Sequence, residues 1–212
     1  YAAAGLGFGD GKKYLLNITG NFVSSKGKDI EFQNFYNLNA KAAGSYFINQ
    51  NELYGSLCLA KNDYSRYGYN HTLYNYSKAD VIQHLQELNL TAGFRNLAEN
   101  SLGVNYNPNI AVDFYASVDN LSERTININL PAELTINKQF SASAEIKADL
   151  TRYSTKGYIP NNYFFNNNVV QILPLVKYNG DAFQLNAGII PTWDNGRLSL
   201  LPNIYGEAFL PD

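Results

Sequence analysis

Alternate residues along most of this chain fall into two chemically distinct sets. Ile126, Ile128, Leu130, Ala132, Leu134 and Ile136 alternate with Thr125, Asn127, Asn129, Glu133 and Thr135. Ala142, Ala144, Ile146 and Ala148 alternate with Ser141, Ser143, Glu145, Lys147 and Asp149, and Phe183, Leu185, Ala187, Ile189 and Pro191 with Gln184, Asn186, Gly188 and Thr192. A side-chain period of two means β-strands with one oily face and one wet face. Segment after segment repeats it, so the chain reads as all-β: an antiparallel up-and-down meander forming a transmembrane β-barrel or a sector of a larger one. A two-layer β-sandwich, whose oily stripes pair across two sheets, satisfies the same alternation and is the alternative.

Composition narrows the function classes. Charged residues are 16% of the chain, well under the roughly 25% usual in soluble domains. Polarity comes instead from uncharged groups, including 29 asparagines, and aromatics reach 14% with 17 tyrosines. This fits a barrel with aromatic girdles and a polar lumen. A net charge of −2 gives no footprint for nucleic acid. Cys58 is the only cysteine, which excludes an intrachain disulfide. No apolar run approaches the roughly 18 residues of a membrane helix, so any membrane location is of the β type. The chain has no methionine and starts at Tyr1, and is read as processed or as part of something longer. Residues 1–212 form a single β domain or barrel fragment with no recognisable plug.

About ten strong strands are expected, with no helix-period segment of useful length. Tight turns at 9–12, 49–52, 96–101, 137–139 and 179–181 gather at one end of the sheet. Loops at 24–36, 62–80, 119–124, 153–168 and 194–196 gather at the other, three of them long. A barrel inserted from the periplasm has this asymmetry, whereas a Greek-key sandwich scatters long crossovers to both ends. Pro108, Pro131, Pro174, Pro191 and Pro202 fall within strand patterns, where each removes a ladder donor, and bulges are expected there.

No motif for chemistry emerges. His71 and His84 stand apart from any carboxylate or cysteine at metal-like spacing. Asp113, Glu133, Glu145 and Asp149 project to the polar face, where they line water rather than form a recognisable catalytic pair. No catalytic residue, metal site or cofactor is expected, and the chain is read as not an enzyme. The weak ligand-binding candidates are aromatic: Tyr64, Tyr67 and Tyr69 in one long loop, with Tyr158, Tyr163 and Phe164 in another. Such rings stack on sugars or lipid headgroups and offer a hydroxyl; they equally suit an interfacial girdle. Trp193, closing an oily stripe beside a turn, reads as a membrane-interface anchor. On the sandwich alternative, the chain is a secreted or surface module binding glycan or protein through its Tyr-rich loops.

Residues 6–69 resemble the barrel portion of TonB-dependent-receptor-like outer-membrane proteins. The resemblance rests on Gly5-Leu6-Gly7-Phe8-Gly9, Ser24-Ser25-Lys26-Gly27-Lys28 and Asn37-Leu38-Asn39-Ala40-Lys41-Ala42-Ala43-Gly44-Ser45-Tyr46-Phe47. It continues through Leu53-Tyr54-Gly55-Ser56-Leu57 and Tyr64-Ser65-Arg66-Tyr67-Gly68-Tyr69. It implies a bacterial outer-membrane location and uptake or passage of a nutrient. It also implies contact with the lipid bilayer and a TonB-type energy-coupling protein or surface lipoprotein as partner. Members of that family close some 22 strands around a plug, so this chain corresponds to a sector or a smaller relative.

Overall fold

The computed structural model describes residues 1–28, 32–66, 68–70, 72–117, 120–155 and 163–209. Twelve strands form one antiparallel sheet. In chain order they are β1 (Ala2–Gly9), β2 (Tyr14–Lys26), β3 (Asn34–Ile48), β4 (Asn51–Ser65), β5 (Ile82–Asn96), β6 (Val104–Tyr106) and β7 (Asn109–Ser117). Then come β8 (Leu121–Thr135), β9 (Phe140–Thr155), β10 (Tyr163–Asn179), β11 (Phe183–Asp194) and β12 (Arg197–Ala208). Each strand pairs with its neighbour in sequence, except that β6 pairs only with β8, while β5 pairs with β7, which pairs with β8 in turn. One helical turn, α1 (Lys78–Val81), precedes β5.

Among the described residues no second layer covers this sheet. Val81 in α1 is the only buried hydrophobic among the described residues, while Leu6, Ile18, Leu57, Leu90, Leu130, Ile146, Val176 and Ile189 all stand exposed. The sandwich alternative is therefore wrong: the stripes do not face one another. Magnitude makes the same point. A soluble monomer of 23.7 kDa exposes about 9,800 Å², and this chain exposes 14659 Å². The excess is that of a sheet bare on both faces, and one of those faces is apolar.

Register keeps the oily face continuous. Leu57 faces Ala42 and Leu90, Leu90 faces Val112, Val112 faces Ile126, and Ile126 faces Leu150. Aromatics on the same parity bound this aliphatic band at the turn end. Phe94 stacks on Tyr106 at 5.7 Å, and Tyr178 lies 4.9 Å from Phe140 and 4.8 Å from Phe183. At the loop end stand Phe22 against Tyr36 at 5.2 Å, and Trp193 facing Val170 and Leu198. From Phe140 to Leu150 the strand advances about 33 Å, or about 25 Å in height at the usual barrel tilt.

The prolines interrupt ladder bonds without shifting register, so the expected bulges do not form. Val104 faces Leu134 and Asn109 faces Asn129, so β6 and β7 are one strand line broken at Asn107–Pro108 with no residue gained. Likewise Gln171 faces Thr192 and Leu175 faces Gly188, with an unpaired stretch between them that contains Pro174 and Pro191. A missing N–H deletes a bond; an extra residue is needed to make a bulge, and the sequence supplies none. Where β5 and β6 lack a ladder, the Asn96 side chain substitutes. Its Nδ2 donates to the Val104 carbonyl at 2.9 Å and its Oδ1 accepts the Tyr106 N–H at 2.7 Å.

Turn chemistry fixes the register at the first and last hairpins. Asp10 Oδ1 accepts the backbone N–H groups of Lys12 and Lys13 at 2.9 and 2.6 Å, and these amides hold its carboxyl below its ordinary value of 3.8. Asn195 (φ 48°) and Gly196 (φ 85°) make the two-residue link between β11 and β12, with both central φ angles positive as a tight hairpin requires.

Candidate solute-facing surface and loop-end rim

The other face of the sheet is a continuous polar surface. At its turn end Glu52 is only 4% exposed, yet both its oxygens are used. Ser45 Oγ donates to Oε1 at 2.5 Å and Arg95 Nε donates to Oε2 at 2.6 Å. Further along, Lys177 Nζ and Ser141 Oγ donate to Glu133 Oε1 at 2.9 and 3.0 Å. Glu145 lies 3.2 Å from Lys147. A recess of about 450 Å³ between these pairs is lined by Arg95, Asn105, Asn107, Glu133, Glu145 and Lys177 among others.

Midway up the face, the carboxylates outnumber the cations. Glu87 and Glu123 both face Tyr115, Asp113 and Asp149 lie two and four residues further toward the turn end on the same face, and none of the four has a Lys, Arg or His partner within ion-pair distance among the described residues. Asp113 and Asp149 are held by neutral donors instead: Asn89 Nδ2 donates to Asp113 at 2.5 Å and Thr151 Oγ1 to Asp149 at 2.9 Å. Asn37 and Asn62 bond directly across β3 and β4. The physical result is a wettable, net negative surface studded with amides.

One tyrosine braces this face. A Cβ built on Gly93 would lie 2.3 Å from Tyr54 Cζ, so the ring occupies the space of the missing side chain. That places the Tyr54 hydroxyl 2.7 Å from Asn107 Oδ1, to which it donates, beside the break at Pro108. Gly93→Ala is expected to expel the ring and cost about 1–2 kcal/mol, from overpacking and a lost hydrogen bond. Tyr54→Phe, which keeps the ring, should cost less; urea titration of the folded protein in micelles compares the two.

The aromatic candidates separate by face. Tyr64 ends β4 on the polar parity, opposite Gln83. Tyr69 packs edge-on against Tyr76 at 5.0 Å, and Tyr76 stacks on Tyr74 at 5.7 Å, making a small cluster in the connection to α1. Tyr163 starts β10 on the polar parity, opposite Thr155. Phe164, one residue on, lies on the opposite parity, where the Arg152 guanidinium sits over its ring at 4.8 Å. Tyr67, Tyr158 and His71 lie outside the described residues. Trp193, 38% exposed, continues the oily face beside the Asn195–Gly196 turn.

Pairing also joins residues that sequence reading kept apart. His84 faces Asp63, with 2.8 Å between Nδ1 and Oδ1. Arg124 faces Arg152 directly across β8 and β9. Neither pair has a sequence-local signature, because cross-strand partners are set by register.

A single antiparallel meander with one uncovered apolar face and one hydrogen-bonded polar face is a sector of a β-barrel wall. Among solved structures, the FrpB iron transporter from Neisseria meningitidis (F3-3 variant) has this architecture. It matches with a TM-score of 0.68 at 10% identity, over 95% of this chain and 40% of that one. This chain thus spans less than half the length of that transporter, and at such identity the likeness establishes the fold. No protein-family model matches the sequence, and no curated protein matches it.

Proposed function

We propose that this chain is wall of a bacterial outer-membrane β-barrel of TonB-dependent-receptor-like type, with its oily face against acyl chains and its polar face along the path of a nutrient. The observation that carries the reading is the uncovered apolar band, about 25 Å tall, bounded by aromatic residues at both ends. The structural likeness to an outer-membrane iron transporter supports a transport-related role. Under this reading the tight turns face the periplasm, and the loop end, with Tyr64, Tyr69 and Tyr163, faces the exterior. A TonB-type protein or a surface lipoprotein is the partner that the reading calls for. The chain carries no catalytic step.

Among the described residues both outer strands, β1 and β12, present unpaired ladder edges. In a bilayer such edges must pair, with further strands or with a second copy of this chain. Refolding into micelles or lipid vesicles should give a heat-modifiable band on gels. A compact monomer formed in plain buffer would sink the reading. In planar bilayers, Glu87, Asp113, Glu123 and Asp149 should favour cations over anions. Glu87→Gln with Asp113→Asn should reduce that preference, read as a shift of reversal potential toward zero in a salt gradient.

A further inference from the structure

The polar face carries one apolar row. Leu173 faces Glu145 from β10, and Leu201 faces Ile190 across β11 and β12. The register on either side, Gln171 to Thr192 and Leu175 to Gly188, sets Leu173 opposite Ile190. Leu173, Ile190 and Leu201 thus stand in line across three strands, with Leu175 beside them, and Leu201 is 47% exposed. Other aliphatic residues of this face stand singly: Leu15 faces Gly9 and Ser45, and Leu85 faces Asn62 and Ser117. A contiguous apolar patch with a polar rim marks a place where something apolar binds.

The row lies on a break in the wall. The ladder between β10 and β11 stops after Gln171 and resumes at Leu175, so residues 172–174 and 189–191 are unpaired with one another. Pro174 and Pro191 have no N–H to restore, which lowers the cost of parting the strands. On the far side of the break, Ile172, Pro174, Ile189 and Pro191 belong to the oily face, between Trp193 and the contact of Tyr178 with Phe183. Hydrocarbon therefore lines the wall on both sides of the same opening. The break at Pro108 differs, because Asn96 and Tyr54 bridge it. Among the described residues no side chain bridges the three pairs of this one; Thr192 Oγ1 donates within its own strand, to the Ile190 carbonyl at 3.4 Å.

We propose that the break is a lateral passage for a hydrocarbon chain: a single-chain fatty acid lies over Leu173, Ile190 and Leu201 on the polar face and crosses between β10 and β11 to the acyl chains. The inference rests on the membrane reading above and gives a class to its nutrient. Three residue pairs open about 10 Å of strand line, enough for one extended chain and too little for a folded segment or a two-chain lipid. The row itself offers no ring for a sugar to stack on. Lys147 and Lys177 flank it; Glu145 and Glu133 lie 3.2 and 2.9 Å from them, and each ammonium keeps N–H donors for a carboxylate head.

The test is photo-crosslinking of the whole chain, refolded in phosphatidylcholine vesicles, with a diazirine-bearing palmitate or a diazirine-bearing phosphatidylcholine, the adducts being mapped by peptide mass spectrometry. Both probes should label the oily face, at Leu130 and Ile146. The fatty acid alone should label Leu173, Ile190 and Leu201. In a Cys58→Ser background, Leu173→Cys with Ile190→Cys closes the seam by a disulfide. Labelling at Leu201 should fall about tenfold on oxidation, from the lost passage and aliphatic contact, and return on reduction, with the oily face labelled as before. Leu173→Asn with Ile190→Asn, which keeps the prolines, should lower it as well. Equal labelling of the polar face by the phospholipid overturns the proposal, as does labelling at Leu201 that the disulfide leaves unchanged. Fatty acid confined to the oily face defeats this inference alone and leaves the row as cover for the broken ladder. Absence of adducts on either face defeats it together with the membrane reading.

Discussion

Leu130→Arg should prevent or severely weaken folding into bilayers, at a cost of about 2–4 kcal/mol. Leu130 faces Ile146 in the middle of the apolar band and is 42% exposed in the isolated sheet. A guanidinium placed at bilayer mid-depth loses its hydration with no partner in reach, and barrel measurements put that penalty in this range. The matched control is Asn129→Arg, one residue away on the polar face, where the guanidinium keeps its water and the Lys147 opposite it adds up to about 1 kcal/mol of repulsion. Both are read by urea titration of the protein in phosphatidylcholine vesicles. In a water-exposed sheet the two changes would be equally mild. A large gap between them therefore measures the asymmetry of the two faces, and equal effects would remove lipid from the account.

The meander was legible because alternation and turn residues are local signals. Ile126 to Ile136 fixes a strand and its oily face without reference to any partner, and Asn195-Gly196 fixes a tight link. Strand ends were less legible. Residues 24–26, 62–65, 153–155 and 163–168 read as loop, yet β2 runs to Lys26, β4 to Ser65, β9 to Thr155, and β10 starts at Tyr163. The reason is physical: beyond the apolar band both faces meet polar surroundings, so alternation fades while the backbone ladder continues. Lys61, Asp63, Arg124 and Arg152 occupy positions that would be aliphatic a few residues earlier. The hydrophobic pattern reports the height of the band, not the length of the strand.

The prolines teach a related lesson. Their places within strands were readable, but the consequence depended on the partner strand. Pro174 and Pro191 fall in the same unpaired stretch of β10 and β11, so one gap absorbs both missing donors. Gly188 lies at its edge, where a Cβ would meet the Pro174 carbonyl oxygen at 2.3 Å. The polar face was legible as a surface and not as a network. Asp113, Glu133, Glu145 and Asp149 were assigned to it from parity alone. Their partners, Asn89 to Asp113 or Lys177 to Glu133, are 24 and 44 residues distant in sequence and follow only from register.

Glu52 and Arg95 illustrate what that network contributes, and Arg95→Met should cost about 2–3 kcal/mol. The two residues face each other across β4 and β5, and Ser45 approaches from β3, so three strands are tied at one carboxylate. Removing the guanidinium leaves a carboxylate that is 4% exposed with one hydroxyl donor, and an orphaned buried charge typically costs 3–5 kcal/mol. The Arg95 side chain is 47% exposed, so solvent screens part of the pair and the lower figure applies. Glu52→Gln removes the charge and leaves one acceptor oxygen, for Arg95, while the Ser45 hydroxyl turns to accept from the new amide N–H, which should cost about 1 kcal/mol. The double variant should then be more stable than Arg95→Met alone, because no ion remains to be desolvated. Urea titration of the four proteins in micelles closes the cycle. Strict additivity would mean that Glu52 and Arg95 stabilise the wall independently, and the three-strand tie would have no energetic content.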